Sequence, residues 1–257
     1  MRSVTLCALA LSAVLCGALQ AEEKLSMSEA DKAMYAELLE SNPAEMDVAE
    51  GEQLFGELIG TATYAKMLGV KEKDLPKYLS GFPRYLDPAK KVVTIAQSIQ
   101  MAALAAGKPV PKLESKEMVK MSAYVKSLAN GQKTSIDVKA NKHMEQMHKL
   151  GQQVFEERRG GRGLSCNSCH SADIVGSRLR MQPLPDLGAK ETAAAGTWPA
   201  YRMTQSQMVT LDKRMQQCMK NALLAEIPLG SREMVALEVY VTNKTKGNAI
   251  SIPSVKR

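Results

Sequence analysis

Apolar residues recur at helical spacing along most of this chain. Between Glu145 and Glu157, Met147, Leu150, Val154 and Phe155 fall near one face, which predicts a helix. A second periodic run, Gln205 to Leu224, follows Thr204 as an N-cap and carries Met208, Leu211, Met215 and Cys218. Ser231 opens a last helix containing Met234, Leu237 and Val241, with Gly247 beyond its end. Ser115 opens a comparable helix ending near Leu128. An N-terminal helix from about Ser28 to Glu40 begins with the capping box Ser26-x-x-Glu29. The stretch Arg158 to Gly163 reads as a Gly/Arg-rich loop, and Ser177 to Ala200 is interrupted by Pro and Gly. No run alternates with period two, so the predicted fold class is all-α.

The pattern occurs twice. Phe82-Pro83-Arg84-Tyr85 aligns with Trp198-Pro199-Ala200-Tyr201, and the same offset continues without a gap. Val93-Thr94 then falls on Val209-Thr210, Ser115 to Val119 on Ser231 to Val235, and Tyr124-Val125 on Tyr240-Val241. Upstream, Gly51 to Phe55 echoes Gly151 to Phe155. A constant offset over so many positions predicts two tandem domains of one fold, at 22–130 and 142–257, joined by a linker at 131–141. The second carries Cys218 where the first carries Ala102.

At the N-terminus, Arg2, the apolar run Val4 to Leu19 and the small residue Ala21 form the pattern of a secretory signal peptide at 1–21. The run is too short for a comfortable membrane span. Cys16 follows Leu15, which is not small, so cleavage near Ala21 is favoured over a lipoprotein site. The mature chain is therefore expected in the periplasm, without a membrane span. Its formal net charge of +7 comes with no nucleic-acid motif, and lysines alternate with acids as in Lys71-Glu72-Lys73-Asp74. The charge points at most to an acidic protein partner or an anionic substrate.

Composition changes the picture of the core. Three Phe and one Trp against 16 Met suggest small, flexible side chains packed around something other than themselves. The pentapeptide Cys166-Asn167-Ser168-Cys169-His170 says what. Two thiols one helical turn apart can each add across a vinyl group of a haem, and the adjacent His then faces the iron. A zinc knuckle would need two further ligands, and the only other Cys beyond the signal is Cys218. One covalent haem c is expected, held by Cys166 and Cys169 with His170 as proximal ligand. The first domain lacks the pentapeptide and is expected to be haem-free.

The sixth iron position has several candidates. Met181, Met203, Met208, Met215 and Met219 all lie downstream, and His143 and His148 precede the pentapeptide. Cys218 stands apart as an unassigned thiol in an exported chain. Arg214 lies four residues before it, on the same helical face. A guanidinium there would lower the thiol pKa and present a planar fork to an oxyanion.

A single Cys-x-x-Cys-His, then Trp198-Pro199-x-Tyr201, then Arg214-Met215-Gln216-Gln217-Cys218 resembles SoxA, the catalytic subunit of the SoxAX cytochromes of bacterial thiosulfate oxidation. The resemblance covers nearly the whole mature chain. It implies an L-cysteine S-thiosulfotransferase, which conjugates thiosulfate to a cysteine of a SoxYZ-type carrier protein while electrons leave through haem. It also implies that Cys218 is both distal haem ligand and active-site residue, found as a persulfide, and that Arg214 contacts substrate. A small SoxX-like cytochrome would be the partner and second electron acceptor. Some members bind another haem in the first domain; this chain resembles the single-haem branch. Two other readings remain beside it: a plain electron-transfer cytochrome c with Met ligation, and a thiosulfate dehydrogenase forming tetrathionate. The roles of Arg178 and Arg180 stay open.

Overall fold

The computed structural model describes residues 29–174, 178–179, 182–187, 189 and 192–256. The expected signal peptide, the Ser26 cap, Arg180 and Met181 lie outside the described residues. Residues 1–41 and 42–257 are separate units. In the first, the described helix is α1 (Glu29–Glu40), with Ser41 Oγ donating to the Glu37 carbonyl at 3.0 Å.

The second unit is mostly helical. Its order is α2 (Ala44–Leu58), α3 (Thr61–Met67), α4 (Leu75–Leu79), β1 (Arg84–Leu86), β2 (Lys91–Val93), α5 (Ile95–Ala105) and α6 (Lys116–Ser127). Then come α7 (Lys142–Glu156), α8 (Asn167–His170), β3 (Arg178–Leu179), β4 (Gln182–Pro183), β5 (Ala200–Arg202), β6 (Gln207–Val209), α9 (Leu211–Ala222), α10 (Arg232–Lys244) and β7 (Ser254–Lys256). The strands were not expected. At two or three residues each they are too short to show alternation, and their hairpins are set by turns.

One boundary differs from its expectation. The run at 205–224 is not a single helix capped by Thr204. Met203–Gln205 is a 3-10 turn, Ser206 takes a left-handed φ of 48°, and β6 follows. The helix starts at Leu211, where the Thr210 hydroxyl accepts from Lys213 N. Met208 does not face the helix's own core. It joins the core built around Phe55, Tyr64 and Met118, so its helical spacing to Leu211 is coincidental.

The repeated sequence gives repeated geometry. Hairpin β1–β2 pairs Arg84 with Val93 and Leu86 with Lys91, and β5–β6 pairs Ala200 with Val209 and Arg202 with Gln207. Both hairpins begin after a cis X-Pro bond, Phe82-Pro83 and Trp198-Pro199. Thr94 and Thr210 cap the next helices, and Ser115 and Ser231 cap the ones after, accepting from Met118 N and Met234 N. Gln100 donates to the Pro111 carbonyl at 2.7 Å, and Gln216 to the Ile227 carbonyl at 3.1 Å. Gly51 lies so close to α6 that a Cβ would sit 2.2 Å from the Lys120 carbonyl oxygen, and a Cβ on Gly151 would sit 2.0 Å from that of Ala236. Glycine is required at both crossings because the helices touch backbone to backbone.

Each hairpin packs against the other stretch. Val92 and Tyr85 join Ile136, Met144, Met147 and Val239, and Tyr85 stacks on His143 with ring centroids 4.4 Å apart. Reciprocally, Met208 and Tyr201 join the first core. The intervening segment is held to the C-terminal part. Thr134 N donates to the Asn248 carbonyl at 2.8 Å, Gly247 N returns to the Thr134 carbonyl at 2.8 Å, and Ile136 is fully buried.

Candidate functional site

The pentapeptide folds where α7 and a clamped loop meet. Arg159 N donates to the Leu164 carbonyl at 3.0 Å, closing the loop at 158–163. Gly160, at φ 75°, lets that loop lie against 223–225, where a Cβ would come within 2.6 Å of Ala225 N. Ser165 and Ser168 then exchange hydrogen bonds, each backbone N–H donating to the other's hydroxyl at 3.1 and 3.2 Å. This reciprocal pair closes the first turn of α8 much as a capping box does. Within that turn Cys169 N and His170 N both donate to the Cys166 carbonyl, which sets the two thiols and the imidazole on one short helix.

His170 is oriented by a residue the sequence did not suggest. Its Nδ1 lies 2.8 Å from the Pro185 carbonyl oxygen. A carbonyl can only accept, so Nδ1 carries the proton and Nε2 presents a lone pair. Burial also holds His170 below the ordinary imidazole pKa, with the Pro185 bond opposing and Arg214 adding to it. The ring is thus neutral and poised as a metal ligand.

Opposite Nε2 stands a sulfur. Cys218 Sγ lies 3.8 Å from it. Along α9, Met215, Cys218, Met219 and Ala222 form a stripe at i, i+3, i+4 and i+7 facing the same cavity. Among the described residues, Cys218 is the sulfur whose contact with His170 is seen. Met215 and Met219 line the wall, Met208 is in the other core, and His148 bonds to Asn243 at 3.1 Å. The cavity has Cys166, Cys169 and His170 on one side and Phe155, Leu187, Leu237 and Val241 among its apolar walls. Two thiols, a neutral imidazole and an apolar slot fit a covalently held haem.

Two charges differ from simple expectation. Arg214 does favour the Cys218 thiolate, but burial outweighs it, and the thiol pKa is raised overall. The expected lowering is therefore corrected: the apolar wall disfavours an ion more than one guanidinium favours it. Cys166 is likewise pushed up to about 11, mainly by burial. The second charge is Arg202 at the end of β5, buried at 5% exposure and acted on by Arg214.

No protein-family model matches the chain. It is 30% identical to the L-cysteine S-thiosulfotransferase subunit SoxA of Hydrogenophilus thermoluteolus, over 98% of this chain and 96% of that protein. It is 27% identical to the corresponding subunit of Hydrogenobacter thermophilus over 84% and 82%. Among solved structures it superposes on SoxXA from P. pantotrophus with a TM-score of 0.74 at 20% identity, covering 88% of this chain and 84% of that one. Identity of this extent along almost the entire length of both proteins, on a shared fold, shows that the chain belongs to the SoxA family.

Proposed function

We propose that this protein is the L-cysteine S-thiosulfotransferase subunit of a two-cytochrome complex, with Cys218 and Arg214 at its active site. One observation carries the reading: the Cys218 sulfur stands 3.8 Å from His170 Nε2, in an apolar cavity whose lining also includes Cys166 and Cys169. A plain Met-ligated carrier would not need a thiol there. A single haem would be held covalently through Cys166 and Cys169, with His170 and Cys218 as the residues that would ligate its iron. The stretch 22–130 is a haem-free domain of the same fold as 142–257, supported by the matched caps, hairpins and glycine crossings.

In the conjugation, a carrier cysteine R–SH and thiosulfate become R–S–S–SO₃⁻, releasing one proton and two electrons. One S–H bond breaks and one S–S bond forms. Bound in this cavity, the haem supplies one-electron redox chemistry, so the second electron requires another acceptor, the small SoxX-like cytochrome. Arg214, one helical turn from Cys218, offers its planar fork to the sulfonate oxygens. Arg214 also favours negative charge at Cys218, so it serves both the sulfur and the anion that approaches it. The apolar walls exclude water from the sulfur, which protects a persulfide or mixed disulfide from hydrolysis and exchange.

The partners are a small cytochrome, a SoxYZ-like carrier and thiosulfate, and the setting is the periplasm. Among the described residues, no helix is long and apolar enough to cross a membrane. The test is carrier-dependent turnover: the purified complex, given thiosulfate, a reduced carrier peptide and an electron acceptor, should yield the thiosulfonate adduct on the carrier cysteine. Tetrathionate formed without carrier, or electron transfer with no adduct, would return the chain to one of the two other readings.

A further inference from the structure

The repeated geometry provides an internal control for every buried charge. Arg202 ends β5 and pairs with Gln207 of β6; its counterpart in β1 is Leu86, paired with Lys91. Both positions are 5% exposed. The fold therefore accepts an apolar side chain at this place, and a guanidinium there is not demanded by packing. Neither are the two other polar groups of the site. The counterparts of Arg214 and Cys218 are Ser98 and Ala102, both buried in the first core.

A guanidinium cannot shed its proton, so a buried one needs an anion or a full set of acceptors. Two half-buried arginines have partners for their terminal nitrogens. Arg84 donates to the Tyr78 carbonyl at 3.1 Å and lies 3.5 Å above the Tyr78 ring, and Arg159 pairs with Glu157. Among the described residues, the Nε atoms of Arg84, Arg159 and Arg202 all lack a hydrogen-bond partner, but Arg202 is the deepest of the three, at 5% exposure, and the charge acting on it is the like charge of Arg214. In the parallel pairing of β5 with β7, Lys256 lies directly beside Arg202. Arg202 thus lies between a strand neighbour, Lys256, and the like charge of Arg214 near the start of α9. The hairpin that carries Arg202 is fastened to the same helix, because Gln205 and Gln217 exchange amide hydrogen bonds at 3.1 and 3.0 Å, one residue from Cys218.

We infer that Arg202 is a second oxyanion anchor of the Cys218 site, acting with Arg214. The ligand it completes is a small dianion or a carboxylate pair. Two sources offer that chemistry, the sulfonate of the substrate and the carboxylates of the haem. For the first, the inference rests on the function proposed above; for the second it does not.

The experiment compares the holo complex with Arg202→Leu, which installs the residue found at Leu86, and with Arg202→Lys, which keeps the charge without the planar fork. Two quantities are read. Thiosulfate binding is titrated from the haem spectrum or by calorimetry, without turnover, and the midpoint potential is followed across pH. Loss of thiosulfate affinity by about tenfold or more in Arg202→Leu, with an unaltered potential, assigns the anchor to the substrate. Unaltered affinity with a lower potential and a new pH-dependent step assigns it to a haem carboxylate. Arg202→Lys should fall between parent and Leu variant in whichever quantity moves. If Arg202→Leu does not fold, the Lys variant alone is read in the same two ways. Parent-like affinity and potential in the variants overturn the inference. A parent complex that never conjugates thiosulfate, with a potential that still responds at Arg202, would remove the function proposed above and leave the anchor standing.

Discussion

The stretches 44–131 and 142–247 run through the same caps, the same hairpin register and the same glycine crossing, yet they hold different things. Where the first has Leu86, Ser98 and Ala102, the second has Arg202, Arg214 and Cys218. Just past α5 stands Gly107 with φ 66°, and at the matching place past α9 stands Leu223 with φ 58°, a left-handed conformation that costs a side chain more than glycine. Contacts present in both stretches are those the fold needs. These departures go against what folding alone would choose: a buried charge, a thiol in the wall of the cavity beside His170, a left-handed leucine. Such departures are where chemistry is expected, because stability does not explain them.

The comparison breaks most completely at the haem. Mass spectrometry of the exported protein should show one haem adduct and a mature chain starting near residue 22. Replacing Cys166 and Cys169 together by Ala should remove that adduct entirely. Two adducts would overturn the single-haem reading.

Cys218→Met comes next. A thioether can still bind iron, so a low-spin spectrum should survive, but carrier-dependent conjugation should fall below detection. The mirror change, Ala102→Cys, should leave turnover at the parent level. Turnover in Cys218→Met would dissolve the functional difference between the two stretches.

Arg214→Lys retains the charge and loses the fork, and should weaken thiosulfate binding by about 1–3 kcal/mol, read as a rise in Kd. Similar in size but on stability, Gly51→Ala and Gly151→Ala should each cost about 1–3 kcal/mol in chemical denaturation, because each Cβ meets a carbonyl of the facing helix. A large cost at one glycine and none at the other would show that the two crossings are not equivalent.

The smallest effect concerns the pair Lys126 and Glu238, one from each stretch. Burial, and then Asp212, raise Glu238 to about 8, with Lys126 opposing. The folded protein therefore holds this proton more tightly than the unfolded chain, whose carboxyl titrates near 4.5. Its stabilising contribution is complete below 4.5 and is lost as the pH rises toward about 8. Glu238→Gln stays neutral throughout, so its Tm should decline less over that window, by on the order of a few degrees. Parallel Tm curves would remove Glu238 as the titrating group.

Much of this was written locally. The pentapeptide places two thiols and a His on one turn whatever surrounds them, and Arg214 and Cys218 share a face because a helix returns every 3.6 residues. Caps at Ser115 and Ser231, and the doubled pattern itself, depend on neighbours a few residues apart or on a constant offset. Other features depend on partners far along the chain and leave no periodic trace. The Pro185 carbonyl that sets the His170 tautomer and the exchange of hairpins between the stretches are of this kind. So is the true start of α9 at Leu211, because Met208 is claimed by a core built more than eighty residues earlier. The sign of the Cys218 shift was also decided in three dimensions: sequence shows the nearby charge of Arg214, but only the packed walls show how much water the thiol has lost. Spacing along the chain determined which groups travel together, and long-range packing determined what each of them faces, because desolvation and contact are properties of the whole fold.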